Sequence, residues 1–349
     1  MLGGNGQVGA AAALKLAAAG WEVTSSGQAV ARFPEGLREA GVRFVRSDRY
    51  AAQDLRQLLH QGADAVIDCV GYTAAHARML LPFRPGIGSL VFISSKAVYV
   101  DDQGRHSNSD EPPEFAAPVT EEQPTLAPSD IDYNSREGYG ANKVAAENVL
   151  LDSGMAVSVL RPSRIHGTGG TRPREWVFAK RVLDGRRHLL LARGGRGVNH
   201  PTAAANLAAL VEFCAARPAT RILNSADPDA PDGRTISRLI AAHLAHTWDE
   251  VLLDAAAPEG LGDHPWNMLP PFVLDTSAAQ RLGFVPMGSY AETVKAEVDW
   301  LVEAARSGDP AGVLPSPDDP YFRSFFDYAR EDAWLHERSG TTTPPTATH

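Results

Sequence analysis

Met1-Leu2-Gly3-Gly4-Asn5-Gly6-Gln7-Val8-Gly9 opens the chain, and the spacing of Gly3, Gly6 and Gly9 decides how the rest is read. In a G-x-x-G-x-x-G turn from strand to helix, the first glycine makes the tight turn and the second lets backbone approach a pyrophosphate. The third lets the helix pack closely on the strand. The helix N-terminus that follows aims its unpaired N–H groups at the phosphates. Three such glycines can arise by chance in a chain holding 31, so context carries the reading. An Ala-rich run at 7–19 reads as the helix, and Trp21–Ser25 as the next strand. Only Met1 and Leu2 precede Gly3, where a central strand needs four to six residues. The expectation is a start that lies upstream or has been trimmed.

Working outward, residues 1–100 alternate short apolar strands (Trp21–Ser25, Val42–Arg46, Ala65–Val70, Leu90–Ser94) with helical runs at 7–19, 51–61 and 73–82. That rhythm predicts an α/β fold with a doubly wound parallel sheet. Residues 101–138 break it, with five prolines and ten acidic residues against Arg105 and Arg136. This reads as a long acidic loop of the kind that serves as a lid or mobile segment. Helix returns at 137–153 and a strand at Ala156–Arg161. Further helices are expected at 174–184, 203–216, 234–246, 290–306 and 320–337, the last one aromatic. Residues 339–349 read as a disordered Thr/Pro tail.

Composition excludes several classes. The 349 residues carry a net charge of -9, which argues against general nucleic-acid binding. No run of 18 apolar residues offers a membrane span, and no signal peptide precedes the glycine loop, so a soluble cytoplasmic protein is expected. Cys69 and Cys214 make neither a disulfide framework nor a zinc site. Only five of the 33 basic residues are lysines (Lys15, Lys96, Lys143, Lys180 and Lys295), so a lysine at a chemically suggestive position carries weight.

Tyr139 and Lys143 fall four apart on a predicted helix, hence on one face. A phenol with an ordinary pKa of about 10 is a poor base at neutral pH. A nearby ammonium favours the phenolate and tunes it for proton transfer. Ser95, just after the strand Leu90–Ser94, can hold a substrate oxygen beside the phenol. At the end of the second strand, Val23-Thr24-Ser25-Ser26-Gly27-Gln28 lacks the carboxylate that NAD-specific loops use for the ribose 2′-hydroxyl. Ser25, Ser26 and Arg32 could instead hold a 2′-phosphate, which favours NADP over NAD. Asp48 is a candidate adenine contact.

Taken together, Gly3/Gly6/Gly9, Phe92-Ile93-Ser94-Ser95-Lys96-Ala97-Val98-Tyr99, Val119-Thr120-Glu121-Glu122-Gln123-Pro124, Tyr139/Lys143, Leu160-Arg161-Pro162, and Leu274-Asp275-Thr276-Ser277 with Leu282-Gly283-Phe284 resemble the extended short-chain dehydrogenase/reductases, the NAD-dependent epimerase/dehydratase group. The resemblance covers about residues 1–305. It implies a Rossmann-type NAD(P)-binding domain over 1–165 and a smaller substrate-binding lobe over 166–305, with some elements interleaved, followed by a C-terminal extension at 306–338. It implies Ser95, Tyr139 and Lys143 as catalytic residues. It places the cofactor along Gly3, Gly6, Gln7, Val8, Gly9, Arg49, Cys69, Val70, Gly71, Ser94 and Pro162, with Tyr139 and Lys143. Tyr72, His76, Lys96, Arg164, Arg196 and His200 are the implied substrate contacts. A homodimer through a four-helix interface that includes the catalytic helix is a further implication.

Two departures bear on the substrate. Where sugar-nucleotide dehydratases follow the Ser/Thr with an Asp-Glu pair, this chain has Lys96-Ala97, which argues against 4,6-dehydration. Where family members hold a diphosphate with an Asn, Arg164 stands. His166 and His200 have no third ligand at metal spacing, so no metal is expected. The resulting expectation is an NAD(P)-dependent oxidoreductase passing hydride between nicotinamide and a secondary alcohol or ketone. Two alternatives stand beside it. One is a sugar or sugar-nucleotide epimerase with retained NAD; the other is a non-catalytic nucleotide-sensing or RNA-associated binding protein.

Overall fold

The computed structural model describes residues 1–29, 33–316 and 318–339. In chain order the elements are α1 (Gln7–Ala18), β1 (Thr24–Gly27), α2 (Glu35–Glu39), β2 (Arg43–Arg46), α3 (Ala52–Leu59), β3 (Ala63–Asp68), α4 (Ala74–Arg78) and β4 (Ile87–Ile93). Then come α5 (Arg136–Leu151), β5 (Val157–Pro162), β6 (Arg164–His166), α6 (Trp176–Leu183), β7 (His188–Leu191), β8 (Pro201–Ala203), α7 (Ala204–Ala215) and β9 (Arg221–Ser225). The chain ends with α8 (Gly233–His243), β10 (Asp249–Leu252), α9 (Ser277–Arg281), α10 (Tyr290–Arg306), α11 (Pro320–Arg323) and α12 (Tyr328–Ser339).

The described residues fall into two compact units, one drawn from residues 1–171, 198–231 and 268–297, the other from residues 172–197, 232–267 and 298–339. In the first, β3, β4, β5 and β9 pair in parallel in that order, and β1 pairs in parallel with β2. Leu2 joins the two ladders by parallel bridges to Ser26 on one side and Asp68 on the other. Its N–H donates to the Ile67 carbonyl (2.8 Å), and its carbonyl accepts from the Cys69 N–H (3.1 Å). The order is therefore β2, β1, Leu2, β3, β4, β5, β9, with Leu2 in the place of the central strand.

Strand β4 is apolar on both faces because both are covered. Leu90 and Phe92 pack with Leu55, Leu80, Leu150 and Val157, while Val91 and Ile93 pack with Leu16, Leu160, Leu207 and Val211. That alternation follows from the two-residue period of a strand. Within the second unit, β7 and β10 form a parallel pair, and Leu190, Leu253 and Leu261 cluster beside Trp334 and Leu335 of α12.

Three local outcomes differ from the sequence pattern. The run at 73–82 ends as an α-helix at Arg78 and continues as a 3-10 segment, Leu81–Gly86, which contains Pro82 and Pro85. The aromatic run at 320–337 is broken at Asp327, whose ψ of 69° is not helical. The acidic loop is tied down rather than loose. Asp101 accepts from the N–H groups of Gln103, Arg105 and Glu114 and from Arg105 Nε. Burial pushes the Asp101 carboxyl pKa up, but these hydrogen bonds outweigh it and hold the value down at about 2. The far side of the loop is held by bridges from Tyr99 to Thr125 and from Val119 to Leu274.

Candidate active site

The glycine loop is shaped by contacts that a side chain would violate. Gly3 has φ +78°, and a Cβ there would lie 2.6 Å from Val70 Cγ1. A Cβ on Gly9 would lie 2.3 Å from the Gly3 carbonyl oxygen and 2.7 Å from Gly4 Cα, which keeps α1 tight against the loop. Gly6 differs, since a Cβ there meets nothing closer than the Gly3 oxygen at 3.7 Å. Gly6 is the N-cap of α1, no side chain caps it, and no acidic residue sits in the first turn. The donors of this helix end thus remain available to an anion, which suits the pyrophosphate of a dinucleotide.

Around that loop, several expected cofactor contacts are engaged inward. Ser25 donates to Asn5 Oδ1 (3.3 Å) and Ser26 to the Met1 carbonyl (3.0 Å), and both serines are buried. Gln7 reaches the Gly167 carbonyl (2.6 Å), and Val8 packs into the core. Asp48 accepts from the Tyr50 N–H (2.9 Å), closing a local turn. Arg49 is buried and paired with Asp68 through Nε (3.1 Å) and Nη2 (2.7 Å). Cys69 follows Asp68, and burial pushes its thiol up to about 12, so it is neutral. Arg32 lies outside the described residues.

Tyr139 and Lys143 stand one turn apart on α5, whose N-cap Ser135 accepts from the Gly138 N–H. Lys143 is 2% exposed, and its Nζ donates to the carbonyls of Gly71 (2.7 Å) and Ile93 (2.8 Å). Two of its three protons are used, and the ammonium also lies over the rings of Tyr72 (4.6 Å) and Phe92 (4.9 Å). Desolvation lowers its pKa to about 8, against the opposing pull of Asp68 and Glu147.

Ser95 caps the 3-10 turn Lys96–Val98 by accepting from the Ala97 N–H (3.1 Å), which leaves its own proton to donate. It lies close enough to the Tyr139 phenol to favour the phenolate. Burial raises the Tyr139 pKa, and the nearby Ser95 hydroxyl only partly opposes it. The net direction is therefore opposite to the lowering expected from the lysine alone. Ser94 turns away and donates to Glu147, while Pro162 closes β5 opposite Ser225.

Beside the phenol is an open cavity of about 500 Å³ lined by Tyr72, Asn108, Tyr133, Asn134, Ser135, Arg136 and Tyr139. Tyr133, on the acidic loop, stacks on Tyr72 with centroids 5.2 Å apart and planes within 6°. His76 lies behind them, 5.9 Å from Tyr133 and 4.5 Å from Tyr50, with its Nδ1 accepting from the Tyr72 N–H. Burial, and then the nearby Arg49, lower the His76 pKa, so the ring is neutral at pH 7.

The other expected substrate contacts are not among the residues lining this cavity. Lys96 is buried, bonded to Asn199 and 4.0 Å over the Phe272 ring. His200 is buried with both nitrogens in use, Nδ1 accepting from the Leu274 N–H and Nε2 facing the carbonyls of Asp227 and Asp229. Arg164 sits on β6. Arg196 belongs to the second unit, where its Nε donates to the Arg193 carbonyl (3.3 Å).

Sequence reading missed Tyr133 and Glu147. The available signals were an aromatic residue in the last turn before the Tyr139/Lys143 helix, and an acid four residues beyond Lys143.

A parallel sheet with a glycine-loop helix and a Tyr/Lys helix facing a strand-end serine defines the extended short-chain dehydrogenase/reductase class. Residues 1–216 match the model of the NAD dependent epimerase/dehydratase family. The chain belongs to that family of enzymes.

Among solved structures it is similar to UDP-N-acetylglucosamine 4-epimerase from Methanobrevibacter ruminantium in complex with UDP-N-acetylmuramic acid, at 17% identity and TM-score 0.67, covering 86% of this chain and 97% of that one. It is also similar to dTDP-glucose 4,6-dehydratase from Bacillus anthracis in complex with NAD, at 13% identity and TM-score 0.65, covering 87% and 96%. A third is UDP-glucose 4-epimerase from Thermus thermophilus with NAD, at 19% identity and TM-score 0.63, covering 87% and 98%. At these identities the likeness is one of fold. No curated protein matches the chain. Among the described residues, no helix is long and apolar enough to cross a membrane.

Proposed function

We propose that the protein is an NAD(P)-dependent oxidoreductase that interconverts a secondary alcohol and a ketone, with Tyr139 as the acid/base. The observation that carries this reading is the Tyr139 phenol at the edge of an open cavity, with the buried Lys143 ammonium one helical turn behind on the same helix and Ser95 close to the phenol. When bound, a nicotinamide cofactor supplies the hydride chemistry. Gly3, Gly6 and Gly9 with the first turn of α1 would hold its pyrophosphate, and Lys143, with one proton uncommitted, would hold its ribose. Ser95 donates to the substrate oxygen. Tyr139 gives that oxygen its proton in reduction and removes it in oxidation. Lys143 charge favours the phenolate that forms as the proton leaves, against the burial that disfavours it.

The absence of a carboxylate at Gly27, Gln28 and Ala29, at the end of β1, supports NADP over NAD. Ser25 and Ser26 are turned inward, so the preference rests on what would not repel a 2′-phosphate rather than on what would grip it.

A second reading is favoured by the relatives that are UDP-sugar 4-epimerases, namely a transient ketone formed and reduced again at the same three residues with the cofactor retained. Dehydration is disfavoured, because Lys96, in the position after Ser95, is committed to Asn199 and Phe272.

Mass spectrometry of nucleotide released from the purified protein, followed by a screen of ketones and sugar nucleotides, separates these readings. Stoichiometric NAD(P)H oxidation supports the oxidoreductase. Retained cofactor with isomerised sugar supports the epimerase. Absence of any nucleotide affinity defeats both.

A further inference from the structure

Tyr139, Lys143 and Glu147 follow one another at four-residue steps on α5 and share a helix face. The Glu147 side chain is 1% exposed, and a carboxylate so deep is tolerated only when paired and hydrogen-bonded. Arg161 of β5 meets it as a fork, Nε to Oε1 at 3.1 Å and Nη2 to Oε2 at 2.5 Å. Ser94, the residue before Ser95, donates its hydroxyl to the same Oε1. The Arg161 guanidinium is fixed in turn over the Tyr99 ring (4.9 Å), and Tyr99 donates to Asn224 Oδ1 (2.6 Å). One carboxylate thus ties the helix bearing Tyr139 to the strand end bearing Ser95.

We propose that Glu147 is a positioning residue for the reaction at Tyr139: pinned by Arg161 and Ser94, it holds the Ser94–Ser95 segment against α5 and keeps the Lys143 ammonium charged. This rests on the reading of Ser95, Tyr139 and Lys143 as the reacting groups. The groups facing Lys143 are Asp68 and the neutral Cys69 thiol at the end of β3, the Gly71 and Ile93 carbonyls, the Tyr72 and Phe92 rings, and Tyr139 and Glu147 on its own helix. Asp68 is itself paired with Arg49. Glu147, paired in the same way with Arg161, adds to the pull of Asp68 on the ammonium and comes second to it.

With only five lysines in the chain, Lys143 can be followed by NMR of [13C]lysine-labelled protein, assigned with Lys143→Arg. In Glu147→Gln the titration midpoint of Lys143 falls by at least about half a unit, and Glu147→Asp restores part of the shift. The alkaline loss of NADP+ and NAD+ affinity, measured by calorimetry, moves to lower pH with it. An unchanged Lys143 midpoint in a folded Glu147→Gln protein overturns the proposal, even if thermal stability drops. If Glu147→Gln fails to fold because Arg161 is left unpaired, the double variant Glu147→Gln/Arg161→Met carries the same comparison. Should the unaltered protein bind neither nucleotide at any pH, the functional reading fails, while the Lys143 midpoints still decide the Glu147–Lys143 link.

Discussion

Lys143 Nζ donates to the carbonyl of Gly71, 2.7 Å away across 72 residues of sequence, and so fastens α5 to the segment after β3. A Cβ on Gly71 would lie 2.7 Å from Asp68 Oδ2 and 2.8 Å from Phe92, so the carbonyl that receives the lysine cannot easily shift. The ammonium is held rigidly but at a cost in solvation, which is why its pKa sits near 8. The folded value lies below the ordinary lysine value, so the folded state binds fewer protons than the unfolded one between about pH 8 and 10.5. Stability from this group therefore rises with pH across that window. Cofactor affinity should move the opposite way, falling above about pH 8 as the ammonium is lost. Nucleotide dissociation constants from pH 6.5 to 9.5 check this, and Lys143→Met should abolish the dependence.

The two inner glycines of the loop should respond differently to alanine. Gly9→Ala drives a methyl into the Gly3 and Gly4 backbone and should cost more than about 2 kcal/mol of stability. Gly6→Ala meets almost nothing in the protein and should change stability by no more than about 1 kcal/mol. Because Gly6 caps the helix end proposed to hold the phosphates, nucleotide affinity should fall at least about tenfold. Thermal unfolding and calorimetry on both variants check the pair. Equal nucleotide affinity in Gly6→Ala and the unaltered protein would place the phosphates elsewhere.

His264, in the second unit, is buried against Phe178, which in turn stacks on Trp266, and neither of its ring nitrogens has a hydrogen-bond partner among the described residues. Burial lowers its pKa to about 4, although Asp263 and Asp232 pull the other way. The unfolded state therefore takes up a proton that the folded state refuses between about pH 6.5 and 4. The protein should lose about 3 kcal/mol over that interval from this residue. His264→Leu should be at least as stable at pH 7 and should lack that part of the acid sensitivity, as read by urea unfolding at pH 7, 5.5 and 4.5.

Arg181 of α6 and Glu331 of α12 form a buried bidentate pair at 2.9 and 2.5 Å, and Arg181 also donates to the Phe325 carbonyl (2.6 Å). Removing the Glu331 charge leaves the Arg181 guanidinium buried with no counter-ion and only the Phe325 carbonyl. Glu331→Gln should destabilise by about 3 kcal/mol or more, whereas Arg181→Met/Glu331→Leu should recover most of the loss. Thermal unfolding of both variants tests this, and a single variant within about 1 kcal/mol of the parent would show that α12 contributes little.

The parallel sheet was legible because its strands are short, apolar on both faces and separated by helical periods, as in Leu90–Ile93. Tyr139, Lys143 and Ser95 could be singled out because their relation is local or set by the end of a strand. What was not legible depends on partners distant in sequence. Glu147 looks like an ordinary surface acid of an amphipathic helix until Arg161 folds against it. Ser25 and Ser26 look like phosphate ligands until Asn5 and the Met1 carbonyl take their hydroxyls. Asp101 is one of ten acids in its loop, and only the fold selects it as the residue around which Gln103, Arg105 and Glu114 gather. His264 carries no sequence signal at all, because its isolation arises from Gly233 and Phe178 packing against it.

If Tyr139 moves the proton in a nicotinamide-dependent reaction, Tyr139→Phe removes that proton and leaves the ring in place. On whichever ketone, alcohol or sugar nucleotide the unaltered protein turns over, the variant should keep its nucleotide dissociation constant within about threefold and lose at least about a hundredfold in kcat/KM. Turnover within a few-fold of the parent, with nucleotide binding intact, would contradict the account.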